Sequence, residues 1–169
     1  MTKNKLMFLT LIAGALLSLQ VAQAQTWSTA GSTCEPGSDS IGFYQYSNAS
    51  FEFADWGATG QISTRCLVNN PLDSGTVKWT TLTMGYQDPD GRGGDYEVQA
   101  SLQRVHKASG AHDVIVTIDS DSYATTAATS KSVTFTHTFD FVNYAYWVAL
   151  RVNRNDSVLN PKVWFASLK

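Results

Sequence analysis

Three carboxylates and three glycines crowd into nine residues at positions 87–95, "QDPDGRGGD". Calcium takes six to eight oxygen ligands from carboxylates, carbonyls and water, held by a loop that bends sharply at glycine. Asp88-x-Asp90-Gly91 begins such a loop and Asp95 closes it. The stretch departs from an EF-hand: it has no third ligand before the glycine, no Glu at the twelfth position and no flanking helices, and Arg92 adds a positive charge. A plainer reading explains the same residues. Pro89-Asp90-Gly91 is turn chemistry, with Pro fixing φ and Gly supplying a positive one, and acids keep a hairpin tip soluble. A second acidic tip, "DSDS" (119–122), supplements the first if the fold brings the two together.

The histidines offer one pairing. In "VHKASGAHDV" (105–114) a five-residue loop over Lys107–Ala111 sets His106 opposite His112, close enough for two imidazoles to share a transition metal. Asp113 points to the other face, and zinc sites need three or four ligands, so the expectation is a solvated hairpin tip. His137 lies in an otherwise apolar row with Val133, Phe135 and Phe139, the setting of a hydrogen-bonded core or edge histidine.

Five tryptophans and seven tyrosines are many for this length, and aromatic faces stack on sugar rings or clamp apolar ligands. Trp56, in the loop-like "ADWGATG", has the fewest packing reasons to be present and is the candidate ligand-binding residue. Trp79, Trp147 and Trp164 fall out of step with the inward rows of their strands and can face the outside of the fold, although packing within the sandwich or over its open ends is the commoner use of such rings.

Catalysis finds no motif. No stretch resembles the nucleophile elbow G-x-S-x-G, and "GRGG" lacks the strand-to-helix setting of a phosphate loop. Glu52, Asp55, Asp73 and Asp140 are available for glycosidase chemistry, but no spacing pairs two of them across a cleft. No catalytic residue is assigned.

The elements that hold these residues have a period of two. "DYEVQASLQRV" (95–105) sets Tyr96, Val98, Ala100 and Leu102 against Glu97, Gln99, Ser101 and Gln103. Residues 76–86, 132–139 and 144–152 alternate in the same way, and weaker strands are expected at 41–46, 50–54, 60–68, 113–118 and 162–168. About nine short strands without a helical stripe predict an all-β fold, an antiparallel β-sandwich with Greek-key or jelly-roll connections. "SYATTAATS" (122–130) reads as a loop across its end.

The first residues set the compartment. Lys3 and Lys5, the apolar run Leu6 to Leu17, and Ala22-Gln23-Ala24 form a signal peptide over 1–24, leaving 25–169 as one domain. No later stretch approaches a membrane-spanning length. Losing Lys3 and Lys5 leaves ten basic against fourteen acidic residues, a net of −4. With no basic cluster, that sign argues against nucleic acid. In an oxidising compartment Cys34 and Cys66 are expected to pair, a closure that stabilises by roughly 3–4 kcal/mol in the chain-entropy model. Asn48-Ala49-Ser50 and Asn155-Asp156-Ser157 fit the glycosylation sequon.

Cys34-Glu35-Pro36, Asn48-Ala49-Ser50, Cys66 and Tyr86-Gln87-Asp88 follow one another in a layout that resembles a group of small exported bacterial proteins of unknown function. The chain departs from it where Leu67, and no proline, follows Cys66, and where a later cysteine pair is missing. The resemblance implies a β-sandwich and an extracytoplasmic address, and it carries no activity. The sequence therefore predicts a periplasmic or secreted, non-enzymatic module that binds a polysaccharide, another surface polymer or an extracellular protein, with calcium as the candidate cofactor. An assembly subunit and an enzyme with a dispersed carboxylate or histidine site are the alternatives.

Overall fold

Alternating side chains become two packed sheets because each strand buries one row and wets the other. The computed structural model describes residues 25–55, 57–71 and 76–169, and among them eleven strands. These are β1 (Trp27–Ala30), β2 (Glu35–Pro36), β3 (Tyr44–Ser47), β4 (Ser50–Phe53), β5 (Gly60–Val68), β6 (Thr81–Gln87), β7 (Tyr96–His106), β8 (His112–Asp119), β9 (Thr129–Thr134), β10 (Tyr144–Arg154) and β11 (Lys162–Leu168). The signal-peptide residues, Trp56 and Asp73 lie outside the described residues. No described helix is long and apolar enough to cross a membrane.

One sheet runs β3-β4-β11-β6-β9, and β1 joins it along the second half of β11, where Trp27 faces Leu168 and Ala30 faces Phe165. The other runs β2-β5-β10-β7-β8. Every pairing is antiparallel, so the fold is the expected sandwich. The count exceeds nine because β1 and β2 are too short to show a period. Two expected strands also start or stop elsewhere. Residues 76–80 and 135–139 are not strand, although Phe135 N–H still bonds Thr80 C=O at 2.8 Å. The expected 122–130 loop gives way to β9 at Thr129.

The core lies between the sheets. Leu82, Met84 and Tyr86 of β6 and Val163, Ala166 and Leu168 of β11 face Val98, Ala100 and Leu102 of β7 and Tyr146, Val148, Leu150 and Val152 of β10, all fully buried. Each buried Val, Leu or Met side chain among them contributes roughly 1.5–3 kcal/mol of burial, and the two alanines less. Cys34 and Cys66 form a disulfide that ties the segment before β2 to β5.

Trp79 belongs to this core and not to the outside. It is fully buried, meets Phe139 edge-on at 5.2 Å, and donates its indole N–H to Gln25 C=O at 2.7 Å. Its segment is not strand, so alternation does not govern where it points. His137 follows expectation: its Nε2 lies 3.2 Å from the Tyr146 hydroxyl, and burial holds its pKa below the usual value.

Candidate functional site

β10 is the middle strand of the five-stranded sheet, and its outward row is Ala145, Trp147, Ala149, Arg151 and Asn153. Register places Leu67 of β5 and Gln103 of β7 on either side of Trp147. Arg65 and Ser101 flank Ala149, and Ser63 and Gln99 flank Arg151. These side chains line a groove of about 780 Å³ that also takes in Glu35, Val105 and His112. Ala149 and Ser101 are small, so the floor drops between Trp147 at one end and Arg151 and Gln99 at the other.

The wall beside Trp147 is apolar. Leu67 is 65% exposed and Val114, opposite Gln103 on β8, is 55% exposed. His112 stacks on Trp147 with ring centroids 5.3 Å apart and planes 18° from parallel, and its Nε2 lies 2.9 Å from Gln103 Oε1. The floor is polar: Gln103 donates to the Ser101 hydroxyl at 2.6 Å, and Arg151 reaches Gln99 Oε1 at 3.5 Å. A half-buried flat ring thus borders a row of hydrogen-bonding groups. The outward setting of Trp147 was legible from the alternation of β10. Its neighbours were not, because they come from three other strands.

The histidine pair does not form. His106 N–H bonds Ala111 C=O at 2.8 Å, so the loop is Lys107–Gly110, one residue shorter than expected, and Gly110 turns it at φ 72°. Val105, not His106, then faces His112. In a strand a one-residue slip reverses the face. His106 packs edge-on against Tyr144 at 5.0 Å and takes a hydrogen bond from Ser109 N–H, while His112 joins the groove. Asp113, on the other face from His112, pairs with Arg104 at 3.0 Å.

The two acidic tips do meet. Asp88 is fully buried, and its Oδ2 accepts the Ser120 hydroxyl at 2.5 Å; that hydroxyl oxygen in turn accepts Val98 N–H at 2.8 Å. Burial first, and the neighbouring Asp90, push the Asp88 carboxyl up to about 7 against the Ser120 bond. Asp121 is pushed up to about 6 by burial and then by Asp119, Glu97 and Asp90. One ligand oxygen each of Glu97, Asp119 and Asp121 lies within 4.8 Å of the others. Asp90 Oδ2 accepts Asp95 N–H at 2.9 Å. Asp90 Oδ1, Asp121 Oδ1 and the Tyr86 hydroxyl are buried with no hydrogen-bond partner among the described residues. Asp95 contributes backbone only to these bonds: its side chain is exposed, and its C=O accepts Asn155 N–H at 2.7 Å.

Of the acids considered for glycosidase chemistry, the three among the described residues are engaged locally. Glu52 lies 3.8 Å from Lys162 and accepts from Gln45 and Ser50. Asp55 accepts Gly57 N–H, and Asp140 accepts from Val142, Asn143 and the Asn143 amide.

No protein-family model matches the chain, and no curated protein matches it. Among solved structures, the chain is similar to a family two carbohydrate esterase from Cellvibrio japonicus, with 12% identity, a TM-score of 0.42 and coverage of 85% of this chain. It spans about a third of that protein's length, 33%. It is also similar to the CBM36-1 domain of a multidomain xylanase from the hindgut metagenome of Trinervitermes trinervoides, at 9% identity and a TM-score of 0.46, covering 86% of this chain and 97% of that one. The low affinity xylan binding module CBM86 from Roseburia intestinalis gives 7% identity and a TM-score of 0.42, covering 86% and 95%. Likenesses this distant carry no argument about the groove.

Proposed function

We propose that the protein binds a polysaccharide in the groove on the outer face of the five-stranded sheet, with Trp147 as the platform. A sugar ring has an apolar C–H face and a rim of hydroxyls, so its receptor needs a flat aromatic beside hydrogen-bonding side chains. The observation that carries the reading is the position of Trp147. It is half-buried on the middle strand, stacked by His112 and bordered by Gln103, with Ser101 and Gln99 following along the groove. Glutamines and a serine offer both donors and acceptors, which hydroxyl-rich ligands require.

Affinity electrophoresis through gels holding one soluble polysaccharide each tests this. The parent should be retarded by at least one polymer and Trp147→Ala should run as in an empty gel. Equal retardation of both proteins on every retarding polymer removes the groove from the reading. Trp56→Ala belongs in the same gels. Its neighbour Asp55 is held through its C=O by Arg154, seven residues along β10 from Trp147 and roughly 23 Å away at the strand's rise per residue. Binding carried by the sheet face survives Trp56→Ala.

A second reading concerns calcium at the acidic end. Its support is that Asp90 Oδ1 and Asp121 Oδ1, from the two tips, are buried without a hydrogen-bond donor, with Asp88, Asp119 and Glu97 close by. Hard oxygens left without donors suit a hard cation. Melting in millimolar calcium and in chelator should differ for the parent and coincide for Asp90→Ala; coincident parent curves leave the stretch as a turn.

A further inference from the structure

We infer that the polysaccharide taken by the groove is an anionic one, carrying carboxylate or sulfate groups, held by Arg65 and Arg151. The inference rests on the groove being the binding site, and adds the ligand's charge.

Arg65 on β5 and Arg151 on β10 both project from the outer face and both are exposed. Register sets Arg65 opposite Ala149, two residues from Arg151 on β10, so the two are diagonal neighbours across one strand pair. Such neighbours have Cβ atoms about 7–8 Å apart, within mutual reach of side chains as long as arginine. The pair therefore straddles the low floor made by Ala149, next to the Trp147 platform.

Among the described residues, neither guanidinium is neutralised by an ion pair. The ion pairs among the described residues are Arg104–Asp113 and Lys162–Glu52. Glu35, whose backbone faces Arg65, is the one acid lining the groove and forms no ion pair with it. Just beyond the lining, Glu97 and Asp119 are capped by the Gln99 amide at 2.5 and 3.1 Å, and Asn153 also donates to Glu97. Gln99 thus turns its amide N–H groups to the acids and its oxygen to Arg151. A chain with fourteen acidic and twelve basic residues gathers two arginines against one glutamate beside the half-buried Trp147. Arginine's planar fork matches carboxylate and sulfate oxygens and is more weakly hydrated than lysine's ammonium, so a ligand desolvates it at lower cost.

The test compares polygalacturonate and a sulfated galactan with neutral galactan in affinity gels, for the parent, Arg65→Gln, Arg151→Gln, the double variant and Trp147→Ala. Melting curves confirm that the exposed substitutions leave the fold intact. An anionic chain should be retained at least tenfold more strongly than the neutral one, weaken as salt rises, and lose that advantage in the double variant. It should also require Trp147, because bulk charge attraction survives that change. Which anionic chain binds more tightly identifies the group recognised. Tight binding of neutral galactan, unchanged in the arginine variants and lost in Trp147→Ala, overturns the charge inference and leaves the platform standing. Parent binding that all the variants share, Trp147→Ala included, overturns both.

Discussion

Ser120 stands between Asp88 and Val98, its hydroxyl donating to the buried Asp88 carboxyl at 2.5 Å while accepting Val98 N–H at 2.8 Å. One hydroxyl thereby joins the end of β6 in one sheet to β7 and the end of β8 in the other. Among the described residues Asp88 has no cationic partner, so burial, not attraction, governs its proton.

The sign of that effect is testable. Folded, the Asp88 carboxyl keeps its proton to about pH 7, whereas in the unfolded chain it releases it near 3.8. Between those values the folded state binds more protons, so the Asp88 contribution to stability falls as pH rises. Asp121 acts in the same direction up to about 6, and His137, whose pKa is lowered, acts in the opposite one below its ordinary value. Thermal melts of the parent and Asp88→Asn isolate the first term. The parent should lose melting temperature relative to the variant from pH 5 to pH 8, and parallel curves would refute this.

The groove predicts a graded response. Trp147→Ala should weaken glycan binding by at least about 30-fold, near 2 kcal/mol, the scale of an aromatic anchor at a binding centre. His112→Ala should cost less, a few-fold, because it removes a ring that steadies the indole by roughly 0.5–1.5 kcal/mol. Isothermal titration of both variants against a bound polysaccharide decides it, and a larger loss for His112→Ala would reverse their roles.

Arg154 should be structural. It is fully buried, lies over Phe53 at 5.4 Å, and donates to the carbonyls of Asp55, Asp156 and Ser157. It therefore clasps the β4–β5 and β10–β11 connections together. Arg154→Met should lower unfolding free energy by about 3 kcal/mol, since bonds from a charged donor are lost inside the fold. Urea titration reads this directly, with an unchanged midpoint as the contrary result.

Replacing Cys34 and Cys66 by serine should cost roughly 3–4 kcal/mol, mainly through a freer unfolded chain. The same titration with the double variant measures it. A loss under 1 kcal/mol would mean that the closure adds little to the sheet pairing around β2 and β5.

By itself, the sequence determined what depends on local period and composition. Alternation in 95–105 and 144–152 specified which residues of β7 and β10 face inward, so the sandwich and the outward setting of Trp147 were both legible. The pairing of Cys34 with Cys66 followed from there being two cysteines. Tertiary structure alone decided everything that depends on register between strands. The four-residue turn at Lys107–Gly110 shifted β8 by one position, and a period of two turns one position into the opposite face. That slip separated His106 from His112 and delivered His112 to Trp147. The bond from Ser120 to Asp88, and the placing of Arg65 beside Arg151, likewise need strands far apart in the chain to become neighbours. Alternation left the direction of Trp79 open for a related reason: off a strand, side-chain direction follows packing and not alternation.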